Sequence, residues 1–362
     1  MTYLQEIQRI PTSGARGVET FTVGGAAYLA VPQLAYDAPG TPAGMNGGDS
    51  NTDILLFKHD GDQFTAAGRL PGTGGEDVEY FEIDGAPYVA CACIRMGSGP
   101  YNFNVGQPIY QWNGEAWEPF QTILGYAAKQ WRHFTIDGAH FLALAQNRPG
   151  DRDVPSAVFR WNGTEFEHLQ DIPSRGGYNF HAFQIDGTTY LAHADHALPS
   201  QLFRWDGEKF VEHQDLMPLG GRAFATFSRD GQHYMAIANI RFDSVLLRWD
   251  GSKFAEHAVL PGGKGGRELH LVDTDEGLFL VRANFITGGL QDPHPLLKSP
   301  LYKFTGDTFE IVDEFDTSGG TDVAEFTAPD GSRRLAVSNG LNGDLGFAAE
   351  SVIYRFAPEG DL

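Results

Sequence analysis

Seven segments of this chain carry titratable side chains in a repeated two-residue spacing. One set reads Glu19, Glu79, Arg132, His181, Ala225, His270 and Ala324, and two residues earlier stand Gly17, Asp77, Gln130, Asn179, Ala223, Glu268 and Asp322. The residue between them is always apolar: Val18, Val78, Trp131, Phe180, Phe224, Leu269 and Val323. On a strand alternate side chains share a face, so both polar sets would converge on one surface and the apolar set on the other. Several chemistries are open to such a surface. Glu19 and Glu79 could act as paired carboxylates, while His181, His270 or Glu79 could move a proton. Arg132 could clamp an oxyanion or a substrate. The plainer alternative is a wet wall whose charges satisfy one another. A second cluster, LAHADHA, holds His193, Asp195 and His196. With His181 and a carboxylate these imidazoles could ligate zinc or iron, although no CxxC or HExxH pattern accompanies them. Other copies place Asn239, Asn284, Asn339 or Gln146 where Asp195 stands, which reads as turn shaping. His193 replaces Leu144 or Ile237, the position of a hydrogen-bonded core histidine. GxSxG, Walker and strand-to-helix GxGxxG patterns are absent.

The elements that carry these residues are short strands. Phe180 to Ile185, Tyr190 to Ala194, Leu202 to Trp205 and Phe210 to Leu216 form one unit of four, turned at Asp186-Gly187 and Asp206-Gly207. Asp-Gly and Asn-Gly pairs between β-rich runs are strong hairpin signals, because Gly accepts the positive φ of a type I′ turn. The first turn recurs at Gly24-Gly25, Asp84-Gly85, Asp137-Gly138, Asp230-Gly231, Glu276-Gly277 and Asp330-Gly331, spaced 44 to 60 residues apart. The second recurs as QWNG, RWNG and RWDG and degenerates to KHDG, KFTG and RFAPEG. Seven copies of four strands predict an all-β, seven-bladed β-propeller occupying residues 1–362 as one domain. The last copy lacks an outer strand, and the opening TYLQEIQRIPTSGAR matches the missing piece. Residues 1–14 are therefore expected to complete the last blade and close the ring.

Composition narrows the function. Lys+Arg 26 against Asp+Glu 47 gives a net charge of −21, which argues against nucleic acid and anionic membranes as partners. No run of eighteen apolar residues exists, so a helical membrane span is excluded. The opening residues show no basic and apolar leader, so a cytoplasmic location is expected if the chain is complete. Cys91 and Cys93, two residues apart on one strand, read as small buried hydrophobes and not as a disulfide. Turns between first and second strands are short, whereas the opposite face carries the insertions 32–52, 95–107, 147–155, 285–300 and 340–350. Loops on a rigid scaffold are where function is grafted.

The repeat YLAxA…YRWNGxxFxxxQxIP resembles the epilepsy-associated repeat, or EPTP repeat, of the leucine-rich glioma-inactivated proteins, over essentially the whole chain. The resemblance implies a seven-bladed propeller that binds a protein partner. It also implies a calcium ion in the central channel, held by aspartates after the loop glycines. Asp77 in GGEDVEYF and Asp322 in GGTDVAEF match that position, and Gly17 replaces it in the blade between them.

The expected function is a binding module that uses the long-loop face and a polar channel holding a cation. Its expected ligand is a small molecule, a glycan or a protein, and a monomer is expected. Ligand-binding candidates are Glu19, Glu79, Arg132, His181, His193, His196, Glu268 and His270. One alternative is a hydrolase or lyase working through Arg132, His181, His270 or Glu79. Another is a lectin stacking sugars on Tyr36 and Tyr101.

Overall fold

The computed structural model describes residues 2–42, 44–147, 149, 152–289 and 292–360. Residues 43, 148, 150, 151, 290 and 291, inside three of the long insertions, lie outside it, as do 1, 361 and 362. The strands form seven four-stranded antiparallel sheets. In blade 4 they run from the inner strand Gly177–Ile185 through Thr188–Asp195 and Ser200–Trp205 to the outer strand Phe210–Met217. Inner strands of successive blades touch in order, and blade 7 touches blade 1. The molecule is a seven-bladed β-propeller.

Blade 7 is closed from the N-terminus: Leu4–Ser13 pairs antiparallel with Ala348–Phe356. Asp313 of blade 6 secures this strand, its Oδ2 accepting the Tyr3 and Leu4 N–H groups at 2.7 and 3.2 Å. Elsewhere a glutamine links outer strands. Gln170 donates to Phe210 O at 2.7 Å and accepts the Phe210 N–H at 2.9 Å. Gln8, Gln121 and Gln214 treat Phe64, Phe166 and Phe254 in the same way. The conspicuous glutamine of FxxxQ is thus a clasp on the next blade's backbone.

The two turn types differ physically. At Asp186-Gly187 both residues have positive φ, 48° and 76°, the type I′ geometry expected from the pair. The turns after the third strands are instead four-residue loops. Asp206 Oδ1 accepts the Glu208 and Lys209 N–H groups, both at 2.9 Å, and only Gly207 has positive φ. An Asx turn, not a type I′ turn, therefore uses the Asp there. Parts of three insertions are also strand: Asn104–Trp112, Leu296–Phe304 and Ala348–Phe356 begin inside them and extend pairing toward the loop face.

The apolar residues between the polar channel positions are all buried, Trp131 and Phe180 completely. They pack blade on blade, for example Trp131 of blade 3 in one cluster with Ala90, Ala92 and Ile109 of blade 2. Cys91 and Cys93 are free thiols inside this packing. A separate apolar cluster lies in the loops, where Leu34, Ala35, Phe285, Ile286, Leu341 and Phe347 meet from blades 1, 6 and 7.

Candidate functional site

The inner strands surround a central cavity of about 240 Å³. Glu19, Asp77, Glu79, Arg132, Glu268, His270 and Asp322 all line it. Three of the positions nearest the loop side hold the next blade. Asp322 Oδ2 accepts the Val18 N–H at 2.9 Å, Asp77 Oδ2 that of Trp131 at 3.0 Å and Gln130 Oε1 that of Phe180 at 2.6 Å. Glu79 repeats this one step deeper, accepting the His133 N–H at 2.7 Å while pairing with Arg132 at 3.4 Å. Asn179 donates across the channel to Glu268 at 2.9 Å.

This acidic belt holds five carboxylates against Arg132, and the imbalance shows in their proton affinities. Burial and the Glu79 charge push Glu19 well above the usual carboxylate range, and burial with Glu79 and Asp322 does the same to Asp77. Burial lifts Glu268 to about 7, and burial with the Glu268 charge lifts Asp322 to about 7. Arg132 is held firmly protonated, chiefly by Glu79. The belt can therefore store protons near neutral pH, the property a general acid needs.

The histidines divide. His270 lines the cavity beside Glu325, at 3.8 Å. His181 bonds Thr226 Oγ1 at 2.8 Å, and burial with the Arg132 charge pushes it down to about 3, leaving it neutral. His193 is 1% exposed, stacked on Phe180 and bonded to Ser156 Oγ at 3.2 Å, inside the core and away from the cavity lining. His196 lies on the loop side, accepting a 2.8 Å hydrogen bond from Arg241 Nη2. Asp195 shapes its turn, accepting the Arg175, Gly176, Ala197 and Leu198 N–H groups.

Calcium prefers oxygen donors, which Asp77 and Asp322 supply. Yet Asp322 spends both oxygens on the Val18 and Val323 N–H groups, and Asp77 spends one on Trp131. Among the described residues no three His, Cys, Asp or Glu side chains converge on a metal-binding point. These side chains offer calcium no preformed cage, and the histidines do not assemble a zinc or iron site. Of the lectin candidates, Tyr101 has one ring face covered by the Arg95 guanidinium at 3.7 Å, and Tyr36 accepts a hydrogen bond from Gln33.

The structure adds a group of residues that alternation on a strand does not predict. Just before the polar set in blades 2 to 7 the inner strand gains one unpaired residue, a β-bulge, as between Ala128 and Gln130 or Gly221 and Ala223. Bulges re-aim side chains. In blades 2, 3, 5 and 6 the re-aimed residues are Glu76, Lys129, Arg222 and Arg267, joined by Arg16 from blade 1 and Tyr178 from blade 4. Together they form a basic ring at the loop-side mouth. Lys129, Arg267 and Arg16 share the single carboxylate of Glu76, at 2.8, 3.4 and 3.9 Å. Against burial, which would raise it, these three cations hold Glu76 down to about 2. Against burial again, Arg222, Lys129 and Arg267 hold the Tyr178 phenol down to about 7. The sequence signal for this ring was a charged or aromatic residue directly preceding the polar set in six of the seven copies, with Thr321 in the last, at a position that alternation assigns to the interior.

Comparison with known proteins agrees with the architecture. The EPTP domain description matches residues 4–50, 118–162, 165–206 and 209–250. The chain is similar to the thrombospondin-type laminin G domain and EAR repeat-containing protein of Homo sapiens, 30% identical over 145 residues, and to that of Mus musculus at 28%. These matches span 40% of this chain and 20% of either relative. A crystal structure of BBS1N in complex with ARL6DN shares the fold at a TM-score of 0.61 and 10% identity, over 98% of this chain and 97% of that one. By its repeats and its closed ring, the chain belongs to the EPTP-repeat, or epilepsy-associated-repeat, propellers.

Proposed function

We propose that this propeller is a protein-binding module and that it docks its partner on the long-loop face. The supporting observation is where the exposed apolar side chains fall. Of seven large hydrophobic residues exposed among the described residues, Met96, Leu124, Leu219, Phe242, Val259 and Leu296 lie in loops or strand ends on that face; Ile7 alone does not. Exposed apolar surface that falls on one face of a molecule suits an interaction surface, and fixed loops lower the ordering cost of binding. The loops here are fixed by the cluster of Leu34, Phe285, Leu341 and Phe347 and by Arg95, which donates to Asn46 O at 2.6 Å and to Gly47 O. The EPTP family membership supports the same reading.

The test is cross-linking mass spectrometry of the tagged chain in its own cells, alongside a Phe242→Glu/Leu296→Glu double variant. Cross-links to a partner should map to the insertions and disappear in the variant. Cross-links that map to the Asp-Gly turn face, or that survive the substitutions, overturn the proposal.

A further inference from the structure

The basic ring and the acidic belt are adjacent layers of one channel, yet they do not neutralise each other. The ion pairs of Lys129, Arg16 and Arg267 all go to Glu76 and none to the belt. Among the described residues Arg222 has no carboxylate partner. It is 6% exposed, lies flat on Tyr178 with its guanidinium carbon 3.5 Å from the ring centre, and leaves Nε and Nη1 buried without a hydrogen-bond acceptor. Arg16 Nε is likewise unsatisfied. Four cations therefore surround one carboxylate, and donors that have lost water have gained nothing in return. Buried charges of this kind are normally paired.

We propose that this ring is an oxyanion-binding site that takes a carboxylate or a phosphate group. Arginine supplies fork-shaped donors suited to both groups, and Lys129 adds a point charge. Below about pH 7 the Tyr178 phenol beside them keeps its proton and offers a further hydrogen bond. Neutral His196, with Nδ1 also buried and unpartnered, stands at the edge of the ring. The cavity of about 240 Å³ admits a small anion; Arg16, Lys129, Tyr178 and Arg267 line it, and Arg222 lies on the Tyr178 ring outside that lining. Glu268 and Asp322, deeper in the channel, repel an anion that moves further and confine the site to the mouth. The site is independent of protein docking, because a free anion fills it whether or not the loop face binds a partner.

The test uses the full chain at pH 6.0, where the Tyr178 phenol is protonated. Calorimetric titration and melting are run with inorganic phosphate and, separately, with glutarate, at an ionic strength held constant with sodium chloride. Wild type should show saturable binding and a melting point that rises with at least one anion; phosphate alone identifies an inorganic ion, and glutarate identifies carboxylate recognition. Arg222→Met should weaken binding at least about tenfold, and Arg16→Gln provides the same measurement if that variant fails to fold. No saturable response to either anion overturns the proposal. So does an affinity unchanged in the variants.

Discussion

The acidic belt makes a prediction that can be separated from every other titration in the protein. Asp322 and Glu268 both titrate near 7 instead of in the usual carboxylate range, because burial disfavours their charged forms. A carboxyl whose folded pKa is raised is most stabilising below its unfolded pKa, near 4, and loses that contribution as pH rises to about 7. At ~1.4 kcal/mol per pH unit, the two are worth roughly 4 and 3 kcal/mol if fully expressed. Both are only half-buried by area and face a channel that water enters, so screening reduces the combined effect to about 2–3 kcal/mol. The histidines act in the opposite direction. Burial depresses His133, His181, His193 and His196 to between about 3 and 4, so each costs stability as pH falls below the ordinary histidine range. A raw pH profile therefore mixes opposing slopes. Glu268→Gln with Asp322→Asn mimics the protonated belt and leaves the histidines unchanged. Urea unfolding of wild type and the double variant at pH 4.5, 5.5, 6.5 and 7.5 isolates the belt. The amides each lose one accepted hydrogen bond, a cost independent of pH, so the variant's stability relative to wild type should rise by about 2–3 kcal/mol between pH 4.5 and pH 7.5. A difference that stays constant across the series refutes the reasoning.

Two further predictions concern the ring. Gln170→Ala removes two hydrogen bonds to the Phe210 backbone and should cost about 2 kcal/mol, or roughly 2–4 °C of melting temperature; calorimetry checks this, with Ala258→Gln, at the equivalent position of blade 5, expected to be neutral or stabilising. Deleting the chain through residue 10 removes most of the Leu4–Ser13 strand and uncovers the Ala348–Phe356 edge. Its melting point should fall by more than about 10 °C and its aggregation should rise, measured by scanning calorimetry and light scattering.

What could be read from the chain divides along physical lines. Asp186-Gly187 announces its turn because the required φ values are local, and the copy-to-copy substitution of Asn239 or Asn339 for Asp195 exposes a turn-shaping role without any structure. Closure was legible because the N-terminal segment repeats the FxxxQxIP pattern of an outer strand. The polar channel positions followed from alternation and line the cavity except His181, which bonds Thr226 outside the lining; His193 sits in the core, the place its exchange for Leu144 or Ile237 indicated, and His196 on the loop side. The basic ring was not legible. Alternation assumes an unbroken ladder, and one extra residue in each of their inner strands moves Lys129, Arg222 and Arg267 from the predicted interior to the mouth. A hairpin turn depends on two residues, whereas the bulge depends on how six or seven strands meet around an axis. For the same reason the resemblance-based pair Asp77 and Asp322 came out as blade-to-blade fasteners: an aspartate after a loop glycine is within reach of the next strand's N–H as readily as of an ion.

The layering also constrains how a ligand reaches the mouth. The chain carries a net charge of −21, so an approaching anion first meets a repulsive field. At physiological salt that field decays over ~8 Å, and the basic ring, being mostly buried, projects little beyond the mouth. Attraction and repulsion therefore act at different distances. A free anion must cross the repulsive zone, so its association rate should rise with salt while its bound state, held by desolvated arginines, weakens only modestly. Stopped-flow association of phosphate at 20 and 150 mM sodium chloride distinguishes this arrangement from ordinary steering: a rate that falls with salt would mean that the ring, and not the acidic surface, governs the approach.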